Sequence, residues 1–325
     1  MIAESVMYSG ALKRNAVMQS LMLLENYPEL HAWLSKLFEA NEFNSTIAFN
    51  AESHLTAKGV PIEYAIVWPS HSVRCTVDVL PHRTAKERIV RTLYWAGSFG
   101  NTFQQDIYND LLQQQEEKML RYGAWLGVRE GEDKVNTKLY LEVADTCKPD
   151  FFDALKLSYD LLKNFGVKPV MLGLPMDKGG VEIYFKLAKL DRPFMKWLLT
   201  YFGFPDRTQE IFGMLEEFCE SSLSGSLDWS SLGFSIAWSS DKKVETVTFY
   251  SFASSAIGSD KNVRKHIMRI GQRHNWDMTL YNKLSEEANG DTDLNTFHGM
   301  VGVVAGTKGE LHFTTGISPV NVGLL

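Results

Sequence analysis

The amino-acid sequence predicts an α+β protein in which ten antiparallel strands close into one barrel with helices on the outside. Two observations lead to this prediction. Segments with helical spacing of apolar residues are followed by pairs of segments that alternate apolar and polar residues, and this order recurs five times along the 325 residues. A closed barrel of five αββα repeats leaves no sheet edge exposed, and its lumen is wide enough to hold a ligand.

The first repeat occupies residues 12–80. Apolar residues at helical spacing fill 12–40 and are interrupted at Tyr27-Pro28, which predicts two helices or one broken helix. Period-two alternation then runs through TIAFNAE (46–52), PIEYAIVW (61–68) and SVRCTVDV (72–79), with turn-forming residues between them. These three segments are predicted to be strands of an antiparallel meander.

The other four repeats follow the same order, with Asp150 and Ser259-Asp260 placed to cap two of the helices. Helices are predicted at 84–95, 103–122, 150–165, 192–202, 206–219, from 260, and at 277–288. Strands are predicted at 136–145, 167–175, 180–188, 233–240, 243–253, 299–306 and 310–316.

Composition and charge exclude several classes of protein. The chain has 39 acidic and 33 basic residues and a net charge of −6, which argues against a nucleic-acid binder. It has no apolar stretch long enough to cross a membrane and no leader-like start, so a soluble, cytoplasmic protein is expected. The three cysteines are too far apart for a CxxC metal site, and no linker-like segment divides residues 1–325, so a single domain is predicted.

Polar side chains at alternate strand positions are predicted to line the lumen, because the opposite positions are apolar and suit packing against helices. Such a set would form a pocket for an anionic ligand with an apolar tail. Alternatively, these positions are the solvated faces of open antiparallel sheets. The residues concerned are Glu63, Arg74, Thr76, Asp78, Lys138, Tyr140, Glu142, Glu182, Tyr184, Lys186, Thr246, Thr248 and Tyr250.

One stretch carries a resemblance to a known family. GVPIEYAIVWPSHSVRCTVDVLP, from Gly59 to Pro81, contains Gly-x-Pro-x-Glu followed eleven residues after the glutamate by an arginine, on two paired strands. It resembles the signature of aromatic prenyltransferases of the dimethylallyltryptophan-synthase type. The αββα repeat over nearly the whole chain resembles the barrel of the same superfamily, including its bacterial branch that acts on phenols and indoles.

The resemblance implies a reaction and roles for individual residues. A dimethylallyl group would move from its diphosphate to an indole-type acceptor, and Glu63 would accept the indole N–H proton. Arg74 and Lys138 match diphosphate-binding cations of the family. Tyr140, Tyr184 and Tyr250 match the tyrosines that shield the allylic cation and bind substrate.

The third repeat departs from the family pattern. An Arg-x-Lys-x-Tyr triplet is expected there, but the chain has Gly180-x-Glu182-x-Tyr184, so two expected cations are absent. In one explanation Lys186, two residues beyond Tyr184, joins Arg74 and Lys138 in a shifted diphosphate site that requires no metal, and Glu182 contacts substrate.

In a second explanation acidic residues hold Mg²⁺, which would neutralise the diphosphate. The carboxylates considered are Glu63, Glu142 and Glu182.

The favoured function is thus prenylation of an indole alkaloid or a tryptophan derivative in secondary metabolism, by a monomer or homodimer. Prenylation of a phenol and cyclisation of an allylic diphosphate are the alternatives within enzymes. A barrel that binds a small molecule without catalysis is the alternative outside them. The chain has no Gly-rich phosphate loop and no HExxH, GxSxG or DDxxD motif.

Overall fold

Ten antiparallel strands close into a barrel in the computed structural model, which confirms the predicted fold class. The strands follow one another around the barrel in chain order, and the last strand pairs with the first. The structure describes residues 10–40, 49, 51–97, 105–114, 119–130, 135–145, 157–176, 179–187, 190–219, 226–227, 232–286, 297–307 and 309–319.

The barrel strands form five pairs of neighbours in sequence. They are β1 (Ile62–Trp68), β2 (Ser72–Val77), β3 (Ala124–Glu130), β4 (Val135–Glu142), β5 (Lys168–Pro175), β6 (Val181–Lys186), β7 (Gly233–Trp238), β8 (Val244–Phe252), β9 (His298–Gly306) and β10 (His312–Ile317). Two further short strands, Leu190–Asp191 and Ser226–Leu227, pair with each other apart from the barrel.

Helices precede each pair of barrel strands. They are α1 (Gly10–Leu21), α2 (Pro28–Glu39), α3 (Ala85–Gly97), α4 (Gln105–Gln114), α5 (Tyr159–Asn164), α6 (Arg192–Tyr201), α7 (Thr208–Cys219), α8 (Ala253–Ala256), α9 (Asp260–Arg273) and α10 (Thr279–Ser285). Short 3-10 helices cover Met22–Leu24 and Pro205–Arg207. Among the described residues, no helix has the length and apolar character needed to span a membrane.

The outer face of the barrel is apolar and packs against the helices. On β1, Ile62, Tyr64 and Trp68 are fully buried. The Tyr64 hydroxyl is 2.7 Å from that of Ser20 in α1, and Trp68 stacks on Trp276 with ring centroids 5.6 Å apart. Since neighbouring residues of a strand point to opposite faces, the intervening positions of β1 face the lumen.

The two ends of the barrel differ in their connections. At one end, here called the hairpin end, the two strands of each pair are joined, for example through Pro69–His71 between β1 and β2. At the other, the helix end, β2, β4, β6 and β8 stop and the chain continues towards the helices of the next repeat. His71 and Lys242 adopt positive φ in two of the turns at the hairpin end.

Two predicted elements differ from the structure. The strand predicted at 46–52 is wrong at Phe49, which is helical and lies against Phe38 of α2 with ring centroids 6.2 Å apart; 46–48 and 50 lie outside the described residues. Conversely, β3 was not among the predicted strands. Gly127 at its centre interrupts the alternation on which strand prediction depends.

Candidate active site

Cross-strand register brings three cations to the hairpin end of the lumen. Arg74 of β2 lies directly opposite Arg129 of β3, which in turn lies opposite Asn136 of β4. Lys138 is the next lumen-facing residue of β4 and lies opposite Gly127. Neighbouring strands therefore form a basic wall, defined as Arg74, Arg129 and Lys138.

A cavity of about 380 Å³ opens beside this wall. All three cations of the basic wall line it. Across the cavity lie Glu182 of β6 and Glu245, Thr246 and Thr248 of β8. The volume lies within the range of small-molecule pockets, and its charge is unevenly distributed, with cations on β2–β4 and acids on β6 and β8.

Lys138 and Glu182 form an ion pair over Gly173 of β5, the strand that separates β4 from β6. The Glu182 carboxylate also accepts a hydrogen bond from the Ser235 hydroxyl, and Lys138 Nζ donates to the Tyr184 hydroxyl at 3.3 Å. Burial alone would raise the pKa of Glu182, but the Lys138 charge and the hydrogen bonds outweigh it and hold the pKa below its usual value. Glu182 is thus ionised at neutral pH and fixes the position of the Lys138 ammonium group.

Three tyrosines form a row along the lumen from this ion pair. The ring centroids of Tyr140 and Tyr184 are 5.9 Å apart, and those of Tyr184 and Tyr250 are 6.2 Å apart. Lys138 Nζ lies 5.2 Å from the centre of the Tyr140 ring and 5.4 Å from that of Tyr184. Burial raises the pKa of the Tyr184 and Tyr250 hydroxyls, so both remain protonated. The row provides aromatic faces that could stabilise a cation.

Glycines on neighbouring strands make room for these rings. A Cβ atom added to Gly127 would lie 2.6 Å from the Tyr140 ring, and one added to Gly233 would overlap the Tyr250 ring. Gly127, which interrupts the alternation of β3, therefore has a role in the lumen, because it allows the Tyr140 ring to lie flat against the barrel wall.

Glu63 lies deeper in the lumen than the arginines. Arg74 is opposite Ala65, so Glu63 is one lumen position, roughly 6.8 Å, farther from the hairpin end. A Cβ atom at Gly299 would overlap Glu63 Oε2, and one at Gly316 would lie 2.6 Å from Oε1. Burial raises the pKa of Glu63 to about 7, and no described residue forms a hydrogen bond or ion pair with it. Its oxygens can therefore accept a proton or hydrogen bond from a ligand.

The raised pKa of Glu63 predicts a pH-dependent loss of stability. Between about pH 4.5 and pH 7 the folded protein keeps the Glu63 proton while the unfolded chain has lost it, so stability falls as pH rises through this window. Glu63→Gln cannot ionise, and its melting temperature is expected to exceed that of the wild type more at pH 8 than at pH 4.5. Thermal unfolding at both pH values measures the difference.

Glu25→Gln is the matched control, since the Glu25 side chain is 70% exposed. The difference in melting temperature between Glu25→Gln and the wild type should be the same at pH 4.5 and at pH 8. Equal differences for Glu63→Gln at the two pH values would contradict the raised pKa.

The predicted Lys186 position is not part of this cavity. Lys186 is exposed at the helix end of β6, opposite Lys168 and Gly233, and is absent from the cavity lining. The structure thus does not bring Lys186 together with Arg74 and Lys138. Arg129, which sequence reasoning missed, joins them instead.

The three carboxylates considered for Mg²⁺ have different surroundings. Glu142 Oε2 accepts hydrogen bonds from the backbone N–H groups of residues 121, 122 and 123 at 2.7–2.9 Å, and Glu182 is paired with Lys138. Glu63 lies against Gly299 and Gly316. Within the described ranges no group of three or more His, Cys, Asp or Glu residues is placed to hold a metal ion.

Comparison with known proteins gives a clear answer at the level of fold. No protein-family model matches the sequence, and no curated protein does. Among solved structures, 5-dimethylallyltryptophan synthase from Streptomyces coelicolor is 12% identical with a TM-score of 0.67, and 96% of each chain is covered. The prenyltransferase PriB is 14% identical with a TM-score of 0.69, and 97% of each chain is covered.

A third solved structure is similar over the same extent. The 6-dimethylallyltryptophan synthase from Micromonospora olivasterospora, in complex with DMASPP and Trp, is 12% identical with a TM-score of 0.68. The comparison covers 94% of this chain and 97% of that one. Together with the closed ten-stranded barrel, these similarities show that the chain has the αββα-barrel fold of the aromatic prenyltransferases.

Proposed function

We propose that the protein is an aromatic prenyltransferase that moves a dimethylallyl group from its diphosphate to an indole-type acceptor. The observation that carries the proposal is the set of groups that one lumen brings together. Arg74, Lys138 and Tyr140 line the cavity. The rings of Tyr184 and Tyr250 continue the row from Tyr140, and Glu63, on the lumen side of β1, has no protein partner among the described residues. An allylic diphosphate needs the cations and the aromatic faces, and an aromatic acceptor needs the carboxyl group.

The donor would bind with its diphosphate at the hairpin end. Arg74 and Lys138 offer charged hydrogen bonds to phosphate oxygens. When the carbon–oxygen bond breaks, its electron pair leaves with the diphosphate, and these cations stabilise the charge that develops there. The allylic cation that remains would lie against the faces of Tyr140 and Tyr184, which stabilise positive charge electrostatically.

The acceptor would lie beside Glu63. Its N–H group donates a hydrogen bond to the carboxylate, which makes the ring more nucleophilic. A pair of ring electrons then forms the new carbon–carbon bond while Glu63 takes the N–H proton. The proton on the substituted ring carbon leaves to the released diphosphate, and Glu63 returns its proton to the nitrogen, which restores the aromatic ring. A base with a pKa of about 7 suits this role at neutral pH, because it is partly ionised and still basic enough to take a proton.

Solved structures of the same fold support these substrate classes. Two of them are complexes of dimethylallyltryptophan synthases with DMASPP and Trp, and another is PriB with L-tryptophan and dimethylallyl thiolodiphosphate. The small aromatic acceptor is proposed by analogy with these ligands, and the setting in secondary metabolism is proposed from the family resemblance alone. The buried, unpaired thiol of Cys75 suits a reducing compartment such as the cytoplasm.

Diphosphate release from dimethylallyl diphosphate tests the function directly. The protein is incubated with tryptophan, simple indoles or naphthols, each with Mg²⁺ and with EDTA. Release that depends on an indole and yields a prenylated indole is the expected result. Turnover of naphthol in preference to an indole would change the proposed acceptor class to a phenol. Release without any acceptor would indicate hydrolysis of the donor, and cyclic products from geranyl diphosphate in place of the dimethylallyl donor would indicate cyclisation.

A barrel that binds without catalysis is the competing function. It is favoured by one observation: β6 supplies Glu182, and no cation, to the cavity. It predicts tight binding of an aromatic compound with no diphosphate release under any condition in the same assay.

A further inference from the structure

Arg129 is placed as a partner of Arg74. The two residues are directly opposite on β2 and β3, and both line the cavity at the hairpin end. Side chains at opposite positions of antiparallel strands have Cβ atoms roughly 5 Å apart. Their guanidinium groups can therefore reach two neighbouring groups of one ligand.

Two arginines at opposite positions of neighbouring strands can hold one anion between them. Arginine is suited to such an anion, because its planar fork of N–H donors matches the oxygens of a phosphate group in a bidentate way. A diphosphate presents two phosphate groups, one for each fork.

The described part of the third repeat contributes no cation to the cavity lining. Gly180 and Glu182 lie there, and Glu182 is paired with Lys138. Lys186 is exposed at the helix end of the same strand. Among the described lining residues, the cations are those of β2, β3 and β4.

We propose that Arg129 is a second diphosphate-binding arginine, which forms with Arg74 a two-arginine clamp across β2 and β3. This inference rests on the proposed function, since it assumes that a prenyl diphosphate is the ligand. Each guanidinium holds one phosphate group, and Lys138 contacts the clamped diphosphate from β4. The clamp takes the place of the cations that the third repeat lacks.

The clamp also sets the direction of the donor. With its diphosphate against β2–β4, the allylic carbon lies next to Tyr140, whose ring covers Gly127. Gly127 is opposite Thr76, which is opposite Glu63. The reactive carbon is therefore on the side of the lumen from which Glu63 presents the acceptor.

Binding of two unreactive probes to the full-length protein tests the clamp. Inorganic pyrophosphate and dimethylallyl thiolodiphosphate are titrated calorimetrically into the wild type, Arg129→Gln, Arg129→Lys and Arg74→Gln. Loss of one charged hydrogen-bonding group from the clamp is expected to weaken binding of both probes about ten- to hundredfold in Arg129→Gln. Arg129→Lys, which keeps the charge without the fork, should lose less.

Arg83→Gln is the control, because Arg83 is half-exposed and pairs with Glu87 outside the barrel; it should bind like the wild type. Binding by Arg129→Gln within twofold of the wild type, while Arg74→Gln loses affinity, would overturn the clamp and leave the proposed function intact. Failure of the wild type to bind either probe would overturn both. If Arg129→Gln does not fold by circular dichroism, Arg129→Lys decides: wild-type affinity for both probes would reject a bidentate clamp.

Discussion

Glu63→Gln is expected to abolish most turnover while leaving donor binding intact. Glutamine has the same shape as glutamate but carries no charge and cannot take the acceptor proton. A positioned general base contributes about 100- to 10,000-fold to a rate, so kcat should fall by at least about 100-fold. Product formation at saturating donor and acceptor measures the fall, and titration with dimethylallyl thiolodiphosphate should give an affinity within twofold of the wild type.

The pH dependence of the wild-type rate provides a second test of the role of Glu63. Because the pKa of Glu63 lies at about 7, kcat/KM should rise with pH up to about 7 and level off above it, as the carboxylate forms. Glu25→Gln should reproduce this profile. A kcat for Glu63→Gln within threefold of the wild-type value would show that Glu63 does not take part in the chemical step.

Gly299→Ala is expected to lower turnover about 100-fold with little loss of stability. The new methyl group would occupy the place of Glu63 Oε2, so the carboxylate has to move by about an ångström or more. The atom in the way is the end of a flexible side chain, which lets the barrel absorb the change, but a misplacement of about 1 Å can cost about 100-fold in rate. Kinetics and thermal unfolding of the same preparation measure both effects.

Two further glycine variants make this test specific. Gly316→Ala approaches Glu63 Oε1 from the neighbouring strand β10 and should act in the same direction. Gly213→Ala, in α7, meets nothing within 4 Å and should leave turnover unchanged. Full activity in both lumen variants would mean that the position of the Glu63 carboxylate does not limit the reaction.

The local sequence pattern was sufficient to predict the barrel because each repeat contains two recognisable patterns, one for its helices and one for its strands. Helical spacing and period-two alternation follow from burial of one side of every element, and neighbours in sequence are neighbours in the barrel. Alternation predicted a strand wrongly where an apolar residue is buried against a helix and does not belong to the sheet. Phe49 alternates with its neighbours like a strand residue, yet it packs against Phe38 of α2.

The lumen faces were also predictable, but the levels along the barrel axis were not. Alternation correctly places Lys138, Glu182 and Tyr184 on the inner face, where they contact one another. It says nothing about how far each strand is shifted against the next, so Lys186 could not be recognised as a residue of the helix end. That shift depends on tertiary pairing.

Arg129 and Glu142 illustrate the same limit from two sides. Arg129 was not predicted to face the lumen because β3 was not predicted to be a strand. With β3 recognised, alternation would have placed Arg129 on the same face as Gly127. Glu142 was grouped with lumen residues, but it lies at the end of β4, where its carboxylate accepts hydrogen bonds from three backbone N–H groups of the segment just before β3. Asp78 was also predicted to face the lumen, but it follows the end of β2 and its buried carboxylate pairs with Arg88 of α3. The end of a strand is where alternation stops being informative.

The pairing of β1 with β10 has a consequence for how the protein acquires its site. Glu63 belongs to the first strand of the barrel, while Gly299 and Gly316, against which it lies, belong to the last two. The pairing of β1 with β10 has the largest sequence separation of any strand pair in the barrel, and such contacts form late because chain entropy must be lost before they are gained. Earlier strand pairs can form locally, but a competent carboxylate exists only when the two ends of the sheet meet. Recovery of activity on refolding would therefore report closure of the barrel itself.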